Sequence, residues 1–283
     1  VGKYIIQKAV NFDAVVKKRA MPLAWYANNY LAQRKWDGCC AVIDTTAEEG
    51  MSRTGEVYPS LGPATLAITN AMGPGFVCIG EAWWPGANQQ SEISGDFRRM
   101  EPSDRLIVLV NDCLTEEEFA AGYSAVPYVE RLARVPISQD RHWGKVPSLQ
   151  PGTYGCPQAM CNELLRTEHG YDGVILRDPQ GTWTAGSGTT GEIIKIKRVL
   201  SFDLRVLEVN KVTGEKTGRD VYKLVVDYRG KRLGVGSGVP HDCADVPSVG
   251  DIVEIEAMDE SAHGLLREPR FKSIRFDKPE PDA

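Results

Sequence analysis

The chain has 283 residues, 42% of them hydrophobic, which is enough for one large domain or for two with separate cores. Its formal net charge of -5 gives no global electrostatic footprint for nucleic acid, and no stretch approaches the roughly 20 uninterrupted apolar residues of a membrane span. The N-terminus VGKYIIQKAV lacks the apolar core of a secretory signal, and seven cysteines (Cys39, Cys40, Cys78, Cys113, Cys156, Cys161, Cys243) occur without a CxxC pair, so a soluble cytoplasmic protein without disulfide framework or structural zinc is expected.

In chain order, apolar residues at helical spacing predict a helix over Phe12 to Met21, and an apolar run predicts a strand near Cys39 to Asp44. A helix over Ala64 to Met72 and strands near Phe76 to Trp83 and Arg105 to Asp112 follow. Helices are then expected over Thr115 to Ala121, Pro127 to Arg134 and Pro157 to His169, the last two opening at a proline, which a first helical turn tolerates. Strands near Gly173 to Arg177 and Glu192 to Lys197 complete this part. After Arg198 the texture changes. Asp203 to Val212, Val221 to Tyr228, Lys231 to Gly236 and Asp251 to Met258 read as successive strands joined by glycine-containing turns such as Thr213 to Gly218. Some 80 residues built this way suggest a small five-stranded barrel of the oligonucleotide-binding (OB) type, with a boundary near residues 198 to 202.

Positive charge is clustered locally at Lys17-Lys18-Arg19, Arg98-Arg99, Lys195/Lys197/Arg198 and Arg267 to Lys278, and the placement of cations decides phosphate affinity. The string Arg34-Lys35-Trp36-Asp37-Gly38 carries a candidate nucleophile. A lysine that attacks phosphorus must be neutral, yet an ordinary one with a pKa near 10.4 is only about 0.1% neutral around pH 7.5, so neighbouring cations must lower its pKa. Taken alone, K-x-D-G recurs by chance in about one chain in twenty of this length, where it is simply a lysine on a turn between helix and strand. The histidines His142, His169, His241 and His263 are dispersed without metal-ligand spacing, and Cys39 and Cys40 lack any Cys/His signature, so zinc and thiol hydrolysis are set aside.

An ordered set of further strings gives Lys35 its context. Lys35-Trp36-Asp37-Gly38, Ser52-Arg53-Thr54-Gly55, Ile79-Gly80-Glu81-Ala82, Asp172 to Arg177, Lys195-Ile196-Lys197 and Arg275-Phe276-Asp277-Lys278 occur in family order. Together they resemble the covalent nucleotidyltransferases, most closely the small, phage-type, two-domain ATP-dependent DNA ligases. The resemblance spans almost the whole chain. It implies an α+β protein with a mixed α/β adenylation (nucleotidyltransferase) domain over 1 to 198 and an OB-type β-barrel over 199 to 283. It also implies the cofactors ATP and Mg²⁺, a cytoplasmic monomer of phage or bacterial context that engages no membrane, and nicked double-stranded DNA as substrate.

Residue by residue, the resemblance implies Lys35 as nucleophile and Lys195 and Lys197 as cations for the α-phosphate. Glu81 would bind the ribose, and Asp172 with Glu81 would hold metal. Arg53, Asp37, Arg177, Arg275 and Lys278 are further nucleotide ligands in this scheme. Arg98, Arg99, Lys211, Lys216 and Arg219 are candidate contacts to DNA phosphates. The chain departs from the family pattern in four places: Cys40 replaces an arginine, Asp172 a glutamate, Ile193-Ile194 a tryptophan-bearing segment, and no aromatic occurs at Leu109, Val110 or Asn111 to stack on adenine. The competing readings are an RNA ligase, a capping guanylyltransferase, and a non-catalytic nucleic-acid-binding module with a degenerate pocket. The string Ile93 to Arg99 resembles DNA ligases and favours DNA.

Overall fold

Each predicted apolar run forms a strand because it is flanked by others that cover its faces, and the strands so formed carry nearly all the motif residues. The computed structural model describes residues 4–87, 90–167, 171–186, 191–197, 200–213, 220–261 and 264–282. His169, Arg198, Lys216, Arg219 and His263 lie outside them. The chain divides into two compact units, Val1–Lys197 and Arg198–Ala283.

The first unit runs β1 (Val10–Asn11), α1 (Phe12–Arg19), α2 (Leu23–Asn29), β2 (Leu31–Trp36), β3 (Cys39–Asp44), β4 (Glu49–Ser52), α3 (Gly62–Met72), β5 (Phe76–Trp83), α4 (Gln90–Phe97) and β6 (Ile107–Thr115). It continues with α5 (Glu116–Ala121), β7 (Tyr123–Ser124), α6 (Tyr128–Ala133), β8 (Trp143–Lys145), α7 (Pro157–Thr167), β9 (Tyr171–Arg177), β10 (Trp183–Thr184) and β11 (Ile193–Lys197). Two sheets organise it, one ordered β1-β11-β9-β2 and the other β4-β3-β5-β6-β8. Phe12, Tyr26, Met160, Leu164, Val174 and Ile194 form a core on the first sheet, and Ile43, Leu61, Ile68, Phe97 and Val108 one on the second. Among the described residues no helix is long and apolar enough to cross a membrane.

Strand β6 runs from Ile107 to Thr115, later than the expected Arg105 to Asp112, because Cys113 and Leu114 are fully buried and Thr115 is reserved as a helix cap. The Thr115 hydroxyl accepts from the Glu118 amide while the Glu118 carboxylate accepts from the Thr115 amide, a reciprocal capping box that fixes the start of α5. Strand β2 and helices α2 and α4 were absent from the sequence-based expectations.

The second unit runs β12 (Leu200–Thr213), β13 (Asp220–Tyr228), β14 (Lys231–Val235), β15 (Ile252–Ala257), β16 (Asp259–Glu260), β17 (Leu266–Arg267) and β18 (Arg270–Ile274). Its five-stranded sheet is ordered β14-β13-β12-β15-β18. Strand β12 serves two partners: Leu200 to Arg205 pair with β15, and Val206 to Thr213 pair with β13 across a bulge between Val206 and Glu208. Among the described residues the two edges of the sheet meet through one parallel bridge, from Ser237 just beyond β14 to Arg270 of β18, so this is an OB-type sheet curled to a seam rather than a fully hydrogen-bonded barrel.

Gly173 is the tightest point of the first sheet. Its φ is +154° and a Cβ there would lie 2.0 Å from the Ile196 carbonyl oxygen, so an alanine must push β11 away from β9. Gly95, inside α4, has open space around it and no such constraint. Gly173→Ala is therefore expected to destabilise the first unit by about 2 kcal/mol or more, while Gly95→Ala is neutral or stabilising by about 0.5–1 kcal/mol. Denaturant unfolding of both variants reads the difference, and equal stabilities would contradict this account of the β9–β11 contact.

Candidate active site

The central feature is a carboxylate placed by a β-bulge. Strand β9 lies between β2 and β11, and Gly173 is the register partner of Lys35 on one side and of Lys197 on the other. The register then slips: Trp36 pairs with Tyr171, leaving Asp172 as the extra residue. Its carboxylate is thereby held between the two lysines, Oδ1 at 2.6 Å from Lys35 Nζ and Oδ2 at 3.2 Å from Lys197 Nζ. Both lysines are less than one-third exposed, so the pairing is only partly screened. Lys195, two residues before Lys197, is partnered by Ile175 of β9. Trp36 packs against Trp83 and Tyr171 at centroid distances of 4.5 and 4.7 Å, fixing the backbone just beyond the nucleophile.

Gly38 follows in the turn from β2 to β3. A Cβ at this position would lie 2.3 Å from the Ala82 carbonyl oxygen and 2.9 Å from Glu81 Cγ. Thus the glycine is required by the close approach of β5. Glu81 sits opposite Cys40 in the β3–β5 ladder. Burial pushes its carboxyl up to about 7; Lys35 and the Gly38 amide oppose this shift, and the neighbouring charges of Asp172 and Asp37 add to it. Burial also raises the thiols of Cys39 and Cys40, the latter far above its ordinary range, so neither is a ready thiolate.

Lys35, Glu81 and Lys195, with Cys39 and Cys40, line a cavity of about 720 Å³ bounded by strands of both sheets. Lys35, Lys195, Arg53 and Arg98 contribute cations to its wall, and Ile79, Val146, Ile175 and Ile193 contribute apolar surface. Arg53 lies over the Tyr4 ring at 5.0 Å. The neighbours Arg98 and Arg99 diverge: Arg98 lines the cavity, whereas Arg99 Nε pairs with Asp96 at 3.1 Å.

Arg177 is 5% exposed and lies at the cavity floor with all three guanidinium nitrogens engaged. Its Nη2 donates to Asn111 Oδ1 at 2.6 Å, its Nε to Gln33 Oε1 at 3.5 Å, and its Nη1 lies 3.6 Å from Asp112. Asp112 is also gripped by the buried Arg131 through two hydrogen bonds of 2.9 and 3.0 Å. Tyr128 ties the network together, accepting from Gln33 Nε2 at 2.6 Å and donating to the Asn111 carbonyl at 3.1 Å. Gln33, Asn111 and Tyr128 were not singled out from sequence. The one available signal was the position of Asn111 where an aromatic was expected.

In the second unit, Lys211 pairs with Asp220 at 2.7 Å. Arg275 chelates Asp203 at 2.9 and 3.0 Å and Asp277 at 2.8 and 2.9 Å, and Lys278 pairs with Asp203 and with Asp282. The carboxyl of Asp277 is pulled down to about 2 by Arg275.

The sequence matches no protein-family model and no curated protein. Solved structures do resemble it. The structure Pmar-Lig_Pre aligns with a TM-score of 0.74 at 20% identity, covering 98% of this chain and 68% of that one. A Lig E DNA ligase, described as binding DNA with a minimal scaffold, aligns with a TM-score of 0.69 at 18% identity over 95% of this chain and 98% of its own. The ATP-dependent DNA ligase from bacteriophage T7, in complex with ATP, aligns with a TM-score of 0.53 at 19% identity over 95% and 98%. The chain has the fold of a DNA ligase. That likeness runs over nearly the whole chain.

A raised carboxyl pKa links Glu81 to stability. The native state binds the Glu81 proton up to about pH 7 and the unfolded state releases it near 4.5, so the stabilisation from burying a neutral carboxyl is lost as pH rises through that window. Between pH 5 and 8 the metal-free protein, kept in chelator, should lose about 2 kcal/mol more stability than its Glu81→Gln variant. Urea unfolding at the two pH values measures this; parallel pH profiles would mean that Glu81 is solvated and ordinary.

Proposed function

We propose that this chain is an ATP-dependent DNA ligase that forms a lysyl-AMP intermediate on Lys35 and seals nicks in duplex DNA. The observation that carries the reading is the pairing of Lys35 with Asp172, and of Asp172 with Lys197, across three adjacent strands, with Lys35 lining a cavity that also receives Lys195 and Glu81. The named ligases whose fold it shares support the same reaction class.

In this reading Lys35 Nζ attacks the α-phosphorus of ATP, a P–N bond forms, and the P–O bond to pyrophosphate breaks. Lys195 and Lys197 stabilise the charge that develops on the nonbridging oxygens. Glu81 accepts hydrogen bonds from ribose hydroxyls, with Asp37 nearby, and Arg53 faces the phosphates. The 5′-phosphate at the nick then takes the adenylyl group from Lys35, and the 3′-hydroxyl displaces AMP. Asp172 holds the Lys35 amine in place before ATP binds. Asp172 and Glu81 also suit a hydrated divalent ion: burial above all, and repulsion from Asp172 in addition, raises the Glu81 carboxyl, and a hard cation relieves that repulsion. Bound Mg²⁺ would supply positive charge to the phosphate oxygens and disfavour the protonated form of Lys35. Arg98, Arg99 and Lys211 are proposed contacts to DNA phosphates.

Lys35→Ala and Lys35→Arg should both abolish covalent labelling by α-labelled ATP, because a guanidinium keeps its proton and is a poor nucleophile. Denaturing electrophoresis reads the label, and appreciable AMP on either variant would assign the nucleophile elsewhere. Labelling by GTP alone, or sealing confined to RNA 3′ ends, would favour a capping enzyme or an RNA ligase instead.

Affinity for nicked DNA should fall steeply between about 50 and 200 mM salt, and replacing Arg98 and Arg99 by alanine should flatten that slope by about one to two phosphate contacts. Fluorescence anisotropy over a salt series is the measurement. An unchanged slope would mean that neither arginine contacts DNA phosphate.

A further inference from the structure

Asn111 occupies a position that the ladder itself singles out. Between β5 and β6 the register passes from Ile79–Asp112 to Gly80–Val110, so Asn111 is the extra residue of a second bulge, and it lines the nucleotide cavity. Its amide orientation is fixed by chemistry. Arg177 Nη2 can only donate, and it lies 2.6 Å from one terminal atom of the Asn111 side chain, which must therefore be Oδ1. The other terminal atom is the Nδ2 donor, and none of the described residues accepts from it.

The strand register places this amide at a definable distance from the reacting lysine. Lys35 and Lys197 flank Gly173; two residues further along lie Gln33, Ile175 and Lys195; two further still lie Leu31, Arg177 and Ile193. Each step of two residues is about 7 Å, so the Arg177 row lies roughly 13 Å from the Lys35 row, with the Gln33 row between. Ile175, Ile193 and Val146 make that end apolar, as a flat nucleobase requires, and Asn111 is anchored to it through Arg177.

From this we propose that Asn111 reads the base: its Nδ2 donates a hydrogen bond to a ring nitrogen of adenine, so that edge recognition replaces an aromatic stacking platform. The proposal rests on the ATP-dependent reading above and names the residue that selects the base within it. Arg177 is then a positioning residue, which keeps the carbonyl of Asn111 turned away and its donor turned inward. Tyr128, by donating to the Asn111 backbone carbonyl, holds the bulge itself.

The test compares ATP with 1-deaza-, 3-deaza- and 7-deaza-ATP in lysyl-AMP formation. Wild-type protein should use one of the three analogues about tenfold less efficiently than ATP, through KM more than through the rate at saturation. Asn111→Leu, which preserves volume and removes the donor, should raise the KM for ATP by about tenfold and use that same analogue and ATP equally well. Wild-type protein that uses all three analogues as well as ATP overturns the proposal and needs no variant to do so. Retention of the wild-type preference by Asn111→Leu overturns it as well. Failure of wild-type protein to label with ATP would instead strike the ligase reading on which the proposal stands, so the two failures are told apart.

Discussion

Everything at the candidate site depends on one carboxylate shared by two lysines. Lys35 and Lys197 approach the same point from opposite sides of β9, and without an anion between them two ammonium groups would repel across a partly buried cleft. Asp172 resolves this only because the bulge gives it a place outside the ladder, while Gly173, with no side chain, lets β11 close against β9. The geometry that holds the lysines together is thus a backbone property, set by one extra residue and one missing side chain.

Beneath the cavity a second charge cluster works differently. Asp112, Arg131 and Arg177 are all nearly inaccessible, and burying such groups costs several kcal/mol each unless every polar atom is met. Here they are met: Arg131 Nη1 also donates to the carbonyls of Val126 and Gly181, and Asp112 accepts from the Cys113 amide as well. A network satisfied this fully resists rearrangement, which gives the cavity floor a fixed pattern of donors and acceptors.

Much of this was legible in the sequence. The strands Cys39–Asp44 and Phe76–Trp83 coincide with their expected limits, because continuous apolar runs bounded by turns have few other ways to be buried. The ordered motifs likewise drew attention to Lys35, Glu81, Asp172, Lys195 and Lys197, which the fold brings to one site. Strand β2 was invisible: Leu31-Ala32-Gln33-Arg34-Lys35-Trp36 carries its polar residues toward the cavity and owes its conformation to pairing with β9. Bulges escape a single-sequence reading for a related reason, since an extra residue exists only relative to a partner strand. Gln33 and Asn111 acquire their roles through contacts to Arg177 that span 144 and 66 positions, a separation that no local pattern encodes.

The cluster of Arg275, Lys278, Asp203, Asp277 and Asp282 in the second unit orders two long cationic side chains within the protein itself. Arginine and lysine give up rotamer freedom when immobilised. In this cluster that loss is incurred when the unit folds, before any ligand arrives. A polyanion that approached this cluster would meet cations already fixed in spacing and direction, and could bind only by exchanging its own oxygens for those of the carboxylates. Its affinity would be governed by how well its charge and geometry outcompete three carboxylates, which selects for dense, multiply charged groups over single phosphates.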